Sequence, residues 1–393
     1  MISRKISENL GKSSWIRSMF EEGEKLRKIH GAENVYDFSL GNPDVPPPKT
    51  VKEAFRKLVL DEDPNLHKYM VNAGFPDVRE KVAAQLQKET GVPMSAQNIV
   101  MTVGAAGGLN VALKALLNPG DEVIVFAPYF VEYLSYIDNH GGKAVIVSTN
   151  LDTFEPDPEL LRVKITSNTK AVIINSPNNP TGVIYSEDVL KKISQVLEDK
   201  EKEYGTAICV ISDEPYNKLV YDNAQVPSVL KIFKNAMVVN SYSKSLALPG
   251  ERIGYIAASS RIDEIGLLMS ALIYCNRTLG FVNAPALVQK VIGETLESAV
   301  DTEEYKKRRD VLYNHLTSLG FKCAKPRGAF YLFPKALMDD DVEFIKRALK
   351  YNLLLVPGTG FGCPGYFRIS YCVSMKIIEN SLPAFEALAR EFR

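Results

Sequence analysis

The sequence predicts an α/β protein with two parts. A three-layer α/β/α large domain, built on a mostly parallel seven-stranded sheet, would carry a smaller α+β domain formed by both termini. From about residue 98 onward, short runs rich in Val and Ile alternate with longer helical patterns, which is typical of a parallel sheet covered on both faces. Beyond about residue 285, long charged helical patterns are mixed with short strand-like runs. We therefore expect an N-terminal segment over 1–45 that packs with the small domain, a large domain over 46–285 and a small domain over 286–393.

The elements can be predicted in chain order from these patterns. An N-terminal helix is expected over Ser14–Lys28, and a proline-rich connector with Pro46, Pro47 and Pro48 follows it. The strands predicted for the sheet are Ile99–Thr102, Glu122–Phe126, Lys143–Ser148, Ala171–Asn175, Ala207–Ser212, Met237–Asn240 and Arg252–Ala258. The main predicted helices are Leu109–Leu117, Glu187–Glu203 and Thr302–Leu319, and the short strands expected near the C-terminus are Phe330–Phe333, Leu353–Val356 and Tyr366–Tyr371.

Composition narrows the class of protein. Lys+Arg and Asp+Glu each count 47 in the 393 residues, so the net charge is zero, which argues against a nucleic-acid-coating protein. Five cysteines without a CxxC pair and four scattered histidines argue against a disulfide framework or a metal site and favour a reducing compartment. No apolar run reaches the roughly 18 residues of a membrane span, and the N-terminus lacks the apolar centre of a signal peptide. We expect a cytoplasmic protein that contacts neither membrane nor nucleic acid.

Ligands of open α/β sheets bind beyond the carboxyl ends of the strands, so the segments after the predicted strands are the candidate site. Gly104-Ala105-Ala106-Gly107-Gly108 follows the first strand and precedes a helix, an arrangement that suits a phosphate. An ordinary tight turn is the alternative interpretation. The segment is not GxGxxG, which weakens a nicotinamide-dependent dehydrogenase as an alternative function.

Three later strands end in polar segments: Asn175–Gly182 with two prolines, Asp213-Glu214-Pro215-Tyr216, and Ser241–Ser245 with Lys244. Taken singly, they are also compatible with a plain turn, a helix N-cap and a solvated lysine. Together they supply what a pyridoxal phosphate enzyme needs: a lysine for a Schiff base, a carboxylate for the pyridine nitrogen, and partners for the ring oxygen and the phosphate. A dehydrogenase would leave Lys244 and Asp213 unexplained.

Four motifs carry a resemblance to a known family. They are Ser176-Pro-Asn-Asn-Pro-Thr-Gly182, Ser212-Asp-Glu-Pro-Tyr216, Ser241-Tyr-Ser-Lys244 with Arg252-Ile-Gly-Tyr255, and Phe367-Arg-Ile-Ser-Tyr371. In order and spacing the chain resembles the fold-type I pyridoxal phosphate-dependent aminotransferases of classes I and II, the aspartate aminotransferase superfamily, over nearly its whole length.

The resemblance implies roles around the cofactor. Lys244 would hold pyridoxal 5'-phosphate and later move the substrate Cα proton. Asp213 would pair with the pyridine nitrogen, and Asn179 and Tyr216 would bond the ring oxygen. The phosphate would be held by Ala105, Ala106, Ser241, Ser243 and Arg252. Phe130 would stack on the ring, with Tyr129 as the alternative.

The resemblance also implies a substrate side and a partner. Arg368, Asn179 and Gly41 would bind the substrate α-carboxylate, and Tyr69 would reach the phosphate of a neighbouring subunit in a homodimer with shared active sites. L-amino acids and 2-oxo acids would react in two half-reactions with ping-pong kinetics.

Substrate choice is less constrained by the motifs. Arg277 lies near the region where dicarboxylate-specific relatives place an arginine for the distal carboxylate, which favours aspartate- or glutamate-type substrates; a surface arginine is the alternative interpretation. Two further functions stay open at this point, a C–S lyase of the same superfamily and, more remotely, a non-catalytic regulator that senses the cofactor.

Overall fold

The computed structural model describes residues 1–10, 15–61 and 63–393. Its strands, in chain order β1 to β12, are Tyr36–Asp37, Ile99–Thr102, Glu122–Ala127, Lys143–Ser148, Thr169–Asn175, Cys209–Asp213, Ala236–Ser241, Gly254–Ala258, Tyr331–Leu332, Leu353–Leu354, Val356–Pro357 and Phe367–Ser370. Its α-helices, α1 to α15, are Arg4–Leu10, Trp15–His30, Lys49–Leu60, Pro76–Thr90, Gly104–Leu116, Glu132–Asn139, Pro158–Lys164, Glu187–Tyr204, Val229–Ile232, Tyr242–Ser245, Ile265–Thr278, Ala286–Thr295, Thr302–Ser318, Asp341–Leu349 and Met375–Arg390. Ser14, the expected first residue of the N-terminal helix, lies outside the described residues.

The large sheet has seven strands in the order β2-β8-β7-β6-β5-β3-β4. Strand β8 runs antiparallel to both of its neighbours, and the other adjacent pairs are parallel. Every residue of the central strands β6 and β7 is buried, as expected for a sheet that is covered on both faces. The predicted fold class is confirmed.

Alternating residues of the strands enter different apolar layers. Ile99 and Met101 belong to a cluster shared with α4 and α8, whereas Val100 between them belongs to a cluster shared with α5 and α11. Successive side chains of a strand point to opposite faces, so helices cover both sides. This is the three-layer arrangement that the sequence predicts.

Helix α5 begins five residues earlier than predicted, at Gly104 rather than Leu109. The glycines that argue against helix in the sequence instead allow close packing on the sheet. A Cβ on Gly108 would lie 2.7 Å from Val239 of β7, and one on Gly107 would lie 2.6 Å from Val103. The early start places the helix N-terminus directly after β2, beside the candidate site.

The smaller domain combines both ends of the chain. Strand β1 pairs in parallel with β10, while β11, β12 and β9 form an antiparallel sheet. Val35 and Phe38 share one apolar cluster with Leu312 and Phe385. Side chains of the N-terminal segment therefore belong to the same apolar cluster as helices near the C-terminus.

The exact division of the chain into domains stays a proposal. Helix α12 begins at Ala286, directly after the predicted boundary, yet it packs against α3 and α4. Its residues Val288 and Ile292 belong to a cluster of the large sheet. This packing favours a boundary after Thr295, and we propose that position.

Across the described ranges, no helix is long and apolar enough to cross a membrane. The cytoplasmic location stays a prediction.

Candidate active site

The carboxyl ends of β5, β6 and β7 open into one pocket of about 270 Å³. Within the part of the chain that the structure describes, all the residues predicted for the site except Tyr69 and Arg277 line it. They are Gly41, Ala105, Ala106, Phe130, Asn179, Asp213, Tyr216, Ser241, Ser243, Lys244, Arg252 and Arg368. The loops after consecutive parallel strands thus meet at one sheet edge, as open α/β sheets require.

Asp213 is the last residue of β6. Its carboxylate is buried, and only one of its two oxygens has a hydrogen-bond partner among the described residues. Its side chain is only 6% exposed, and its Oδ2 accepts a hydrogen bond from the Tyr133 hydroxyl at 2.5 Å. Its Oδ1 has no hydrogen-bond partner among the described residues. Burial raises the pKa of Asp213 to about 7, and the Tyr133 hydrogen bond acts in the opposite direction. A buried carboxylate is costly without a partner, so Oδ1 is suited to a cationic ligand.

Asn175, which the sequence does not single out, connects the end of β6 with the loop that follows β5. Its Nδ2 donates to the Asp213 carbonyl at 2.9 Å, and its Oδ1 accepts from the Asn179 backbone N–H at 2.7 Å. The last residue of β5 therefore fixes the polar loop that follows it against the end of β6. The signal for this role is an amide residue at the end of a buried strand.

Lys244 follows β7 on the short helix α10 and points to the N-terminal segment. Its Nζ donates to the Gly41 carbonyl at 2.7 Å and lies 5.5 Å from the Phe330 ring centroid. Burial lowers the pKa of Lys244 to about 8, and the Arg252 and Arg368 cations act in the same direction. The amine is thereby brought into the range of a nucleophile or a base at neutral pH.

A phosphate-sized anion would find donors at one end of the pocket. The N-terminus of α5 presents Ala105 and Ala106, and the buried Ser241 and Ser243 lie at the end of β7. Gly104 has a φ of +74°, and a Cβ on it would lie 2.6 Å from Arg252 Nη2. Glycine at this position lets the guanidinium approach the helix N-terminus, and both groups favour an anion.

Arg368 lines the same pocket from β12. Only 2% of it is exposed; its Nη1 donates to Asn179 Oδ1 at 3.0 Å and its Nη2 to the Ser39 carbonyl at 2.6 Å. Its Nε has no partner in the described residues. The guanidinium is fixed in position yet keeps a donor, which suits a carboxylate.

Two tyrosines of the pocket lining meet through their hydroxyls. The hydroxyls of Tyr216 and Tyr331 are 2.8 Å apart, and both rings are buried. Burial is the main cause that raises the pKa of Tyr216 well above its ordinary value, and the neighbouring Tyr331 acts in the same direction. The sequence does not mark Tyr331 as a site residue, because it stands in a run that only indicates a strand.

Phe130 lines the pocket, whereas Tyr129 is not part of the lining formed by the described residues. The Phe130 ring packs edge-on against Tyr133, with centroids 5.5 Å apart. Tyr133, the hydrogen-bond donor to Asp213, was also missed. Its spacing of three residues from Phe130, which lies just before α6, is the signal that could have found it.

Tyr69 and Arg277 lie on the surface, outside the pocket of their own chain. Tyr69 is 94% exposed, and the Arg277 guanidinium lies 5.6 Å from the Tyr274 ring centroid near the end of α11. The segments that carry them are joined, because Asn276 Nδ2 donates to the Asn72 carbonyl at 3.1 Å and Asn72 Nδ2 to the Val282 carbonyl at 3.2 Å. The two predicted residues therefore occur on neighbouring segments of one surface.

Comparisons with known proteins point to the same family that the sequence motifs resemble. The family described as aminotransferase class I and II matches residues 33–385. An aspartate aminotransferase from Pyrococcus horikoshii is 34% identical over 380 residues, 94% of this chain and 93% of that protein. The crystal structure of an amino transferase from Eubacterium rectale superposes with a TM-score of 0.97 at 43% identity over 100% of both chains. The aspartate aminotransferase from Thermus thermophilus with maleate has a TM-score of 0.87 at 31% identity over 99% of both chains.

The chain belongs to the class I and II aminotransferases. It is a transaminase, a member of the fold-type I group. The relatives are named aminotransferases, so the C–S lyase alternative is not favoured.

Proposed function

We propose that the protein binds pyridoxal 5'-phosphate in the pocket and moves the amino group of an aspartate-type L-amino acid to a 2-oxo acid. The observation that carries the proposal is the presence of Lys244 and Asp213 in the same pocket. They stand at the ends of the adjacent strands β7 and β6, in one pocket, and the Asp213 carboxylate keeps an unpartnered buried oxygen.

The residues present fit this cofactor. Asp213 Oδ1 would take the protonated pyridine nitrogen, and a cation at this point would lower the pKa that burial has raised. The N-terminus of α5, Ser241, Ser243 and Arg252 would hold the phosphate, and Phe130 would lie against the ring. When bound, the cofactor supplies an aldehyde for a Schiff base and a ring that accepts the electron pair of the Cα–H bond.

Lys244 would hold the cofactor and then act as the base for the substrate Cα proton. A pKa of about 8 leaves part of the amine neutral at pH 7, which suits proton transfer near that pH. Asn179 and Tyr216 would contact the ring oxygen. The Asn179 side-chain oxygen already accepts from Arg368, so this residue would connect the cofactor with the bound carboxylate.

Arg368 would bind the substrate α-carboxylate together with the Gly41 backbone. A Cβ on residue 41 would overlap the Tyr331 hydroxyl and come within 2.9 Å of Tyr331 Cζ. Only glycine therefore leaves Tyr331 in place here. The reaction would run as two half-reactions with ping-pong kinetics.

The active site would be completed by a second copy of the chain. Tyr69 and Arg277 are both exposed and lie on neighbouring segments, so a partner could receive both at one interface. Tyr69 would reach the partner's bound phosphate. Arg277 would meet a distal carboxylate, which agrees with the name aspartate aminotransferase that the relatives from Pyrococcus and Thermus carry.

An amino-donor panel with 2-oxoglutarate as acceptor tests the reaction and the substrate class together. We expect aspartate to be the preferred donor and the double-reciprocal plots to be parallel. Pyruvate release from cystathionine without any 2-oxo acid would instead indicate the lyase. Borohydride reduction followed by peptide mapping should place the cofactor on Lys244, and labelling of a different lysine would refute the site.

A further inference from the structure

Tyr331 occupies a junction that the proposed roles leave without an explanation. It stands on β9, only 2% exposed, and lines the pocket. Its hydroxyl is 2.8 Å from the hydroxyl of Tyr216, and the two rings pack edge to face with centroids 5.7 Å apart. One side chain from the smaller domain therefore fixes a tyrosine that follows the central sheet.

The same ring also contacts the carboxylate-binding arginine. The Arg368 guanidinium carbon lies 4.8 Å from the Tyr331 ring centroid and equally far from that of Phe361. Arginine is held over aromatic faces by cation–π attraction, which is stronger when the pair is removed from water. Since Arg368 is almost completely buried, the Tyr331 ring limits the positions that its guanidinium can take.

The hydrogen bond between the two hydroxyls also determines which hydroxyl proton is available to a ligand in the pocket. Two phenols carry two protons, and their mutual hydrogen bond uses one of them. Either hydroxyl can be the donor of this bond. When Tyr216 gives its proton to an acceptor in the pocket, Tyr331 is left as the donor to Tyr216, and accepting that hydrogen bond makes Tyr216 a better donor. Replacing Tyr331 by phenylalanine would remove this effect and preserve the ring.

We propose that Tyr331 is a positioning residue with two separable functions: its hydroxyl makes Tyr216 a directed donor to the cofactor ring oxygen, and its ring holds Arg368 for the substrate carboxylate. This role rests on the proposed function, because it assumes a cofactor at Tyr216 and a carboxylate at Arg368. It predicts that two substitutions of one residue will fail in different ways.

The first experiment is a pH titration of the visible absorption of the cofactor-loaded protein. A hydrogen bond donated to the ring oxygen stabilises its negative form and lowers the apparent pKa of the bound cofactor. Tyr331→Phe should therefore raise that apparent pKa by roughly 0.5–1 unit, the equivalent of one neutral hydrogen bond. The same substitution in a Tyr216→Phe background should cause no further shift, because the hydroxyl acts through Tyr216.

The second experiment measures carboxylate binding by calorimetry. The probes are maleate, a dicarboxylate without an amino group, and 4-methylpentanoate, which carries one carboxylate and an apolar chain. Tyr331→Leu should weaken the binding of whichever carboxylate the wild type binds by roughly 10- to 30-fold, the equivalent of one desolvated cation–π contact. Tyr331→Phe keeps the ring and should change this affinity by less than about twofold.

Tyr221→Phe is the matched control. Tyr221 is equally buried, belongs to the same apolar cluster and donates its hydroxyl to the Ala329 carbonyl outside the pocket. It should lose stability without changing either readout. A Tyr331→Phe protein with the wild-type titration, or a Tyr331→Leu protein with the wild-type affinity, would overturn the role. A wild-type chain that takes up no cofactor and binds neither probe would overturn the proposed function together with it.

Discussion

The two halves of the pocket are built in different ways. The cofactor half (Asp213, Lys244, Arg252 and the start of α5) comes from loops that follow strands of one sheet. The substrate half (Gly41, Tyr331 and Arg368) comes from segments at both ends of the chain, and the hydrogen bond from Arg368 to the Ser39 carbonyl spans 329 residues. The first half is set by strand order, whereas the second depends on docking of the smaller domain. Substitutions should therefore separate cofactor chemistry from substrate selection.

The largest expected effect belongs to the cofactor half. Lys244→Ala should lower kcat by at least roughly 10³-fold for every donor, because a positioned proton-transfer group and the covalent anchor are lost together. Steady-state kinetics with aspartate and 2-oxoglutarate measures this loss. Lys231→Ala, which removes an exposed lysine, should leave kcat unchanged. Full activity in Lys244→Ala would refute the proposed role of Lys244.

Asp213 makes the stability of the cofactor-free protein depend on pH. Burial raises its pKa from near 4 to about 7, so between these values the folded protein keeps a proton that the unfolded chain has lost. The free energy of unfolding should fall as pH rises from about 4 to about 7, by up to ~4 kcal/mol from this group.

Denaturant unfolding of Asp213→Asn beside the wild type isolates that contribution, since the variant should lack this part of the pH dependence. Asp188→Asn, at the exposed start of α8, should retain it. Identical pH profiles for the wild type and Asp213→Asn would show that the carboxylate is not buried as described.

Arg368→Ala tests the substrate half of the pocket. It should lower kcat/KM by roughly 30- to 100-fold for all donors alike, because every amino acid carries the α-carboxylate and the lost hydrogen bonds are charge-assisted. Arg56→Ala, an exposed arginine on α3, is the control. A loss confined to one donor would contradict the role of Arg368.

Arg277→Ala should give the smallest effect. If Arg277 meets the distal carboxylate across the dimer interface, kcat/KM should fall by roughly fivefold, the equivalent of an exposed ion pair. This loss should be confined to aspartate and glutamate. Alanine and leucine serve as control donors, and an equal loss with them would exclude a role in side-chain recognition.

The same contrast explains what the sequence can predict. Asp213, Asn179 and Lys244 follow buried strands, and parallel strands bring their carboxyl ends to one edge, so their meeting could be predicted. Arg368 was identified through its motif, but nothing local indicates its contact with Ser39. Tyr331 could not be predicted, because its role depends on the hydroxyl of a residue 115 positions away. The predicted helix begins later than α5 because glycine is a poor helix former, although here glycine allows close packing on the sheet.

The position of Lys244 also makes it chemically distinctive among the lysines. With a pKa of about 8, roughly one amine in ten is uncharged at pH 7, against fewer than one in a thousand for an ordinary lysine. A small aldehyde or isocyanate offered to the cofactor-free protein should therefore modify this residue first. Reductive methylation at pH 7 with peptide mapping would report that order. The lowered pKa that prepares Lys244 for its cofactor would also make it reactive toward other carbonyl compounds whenever the cofactor is scarce.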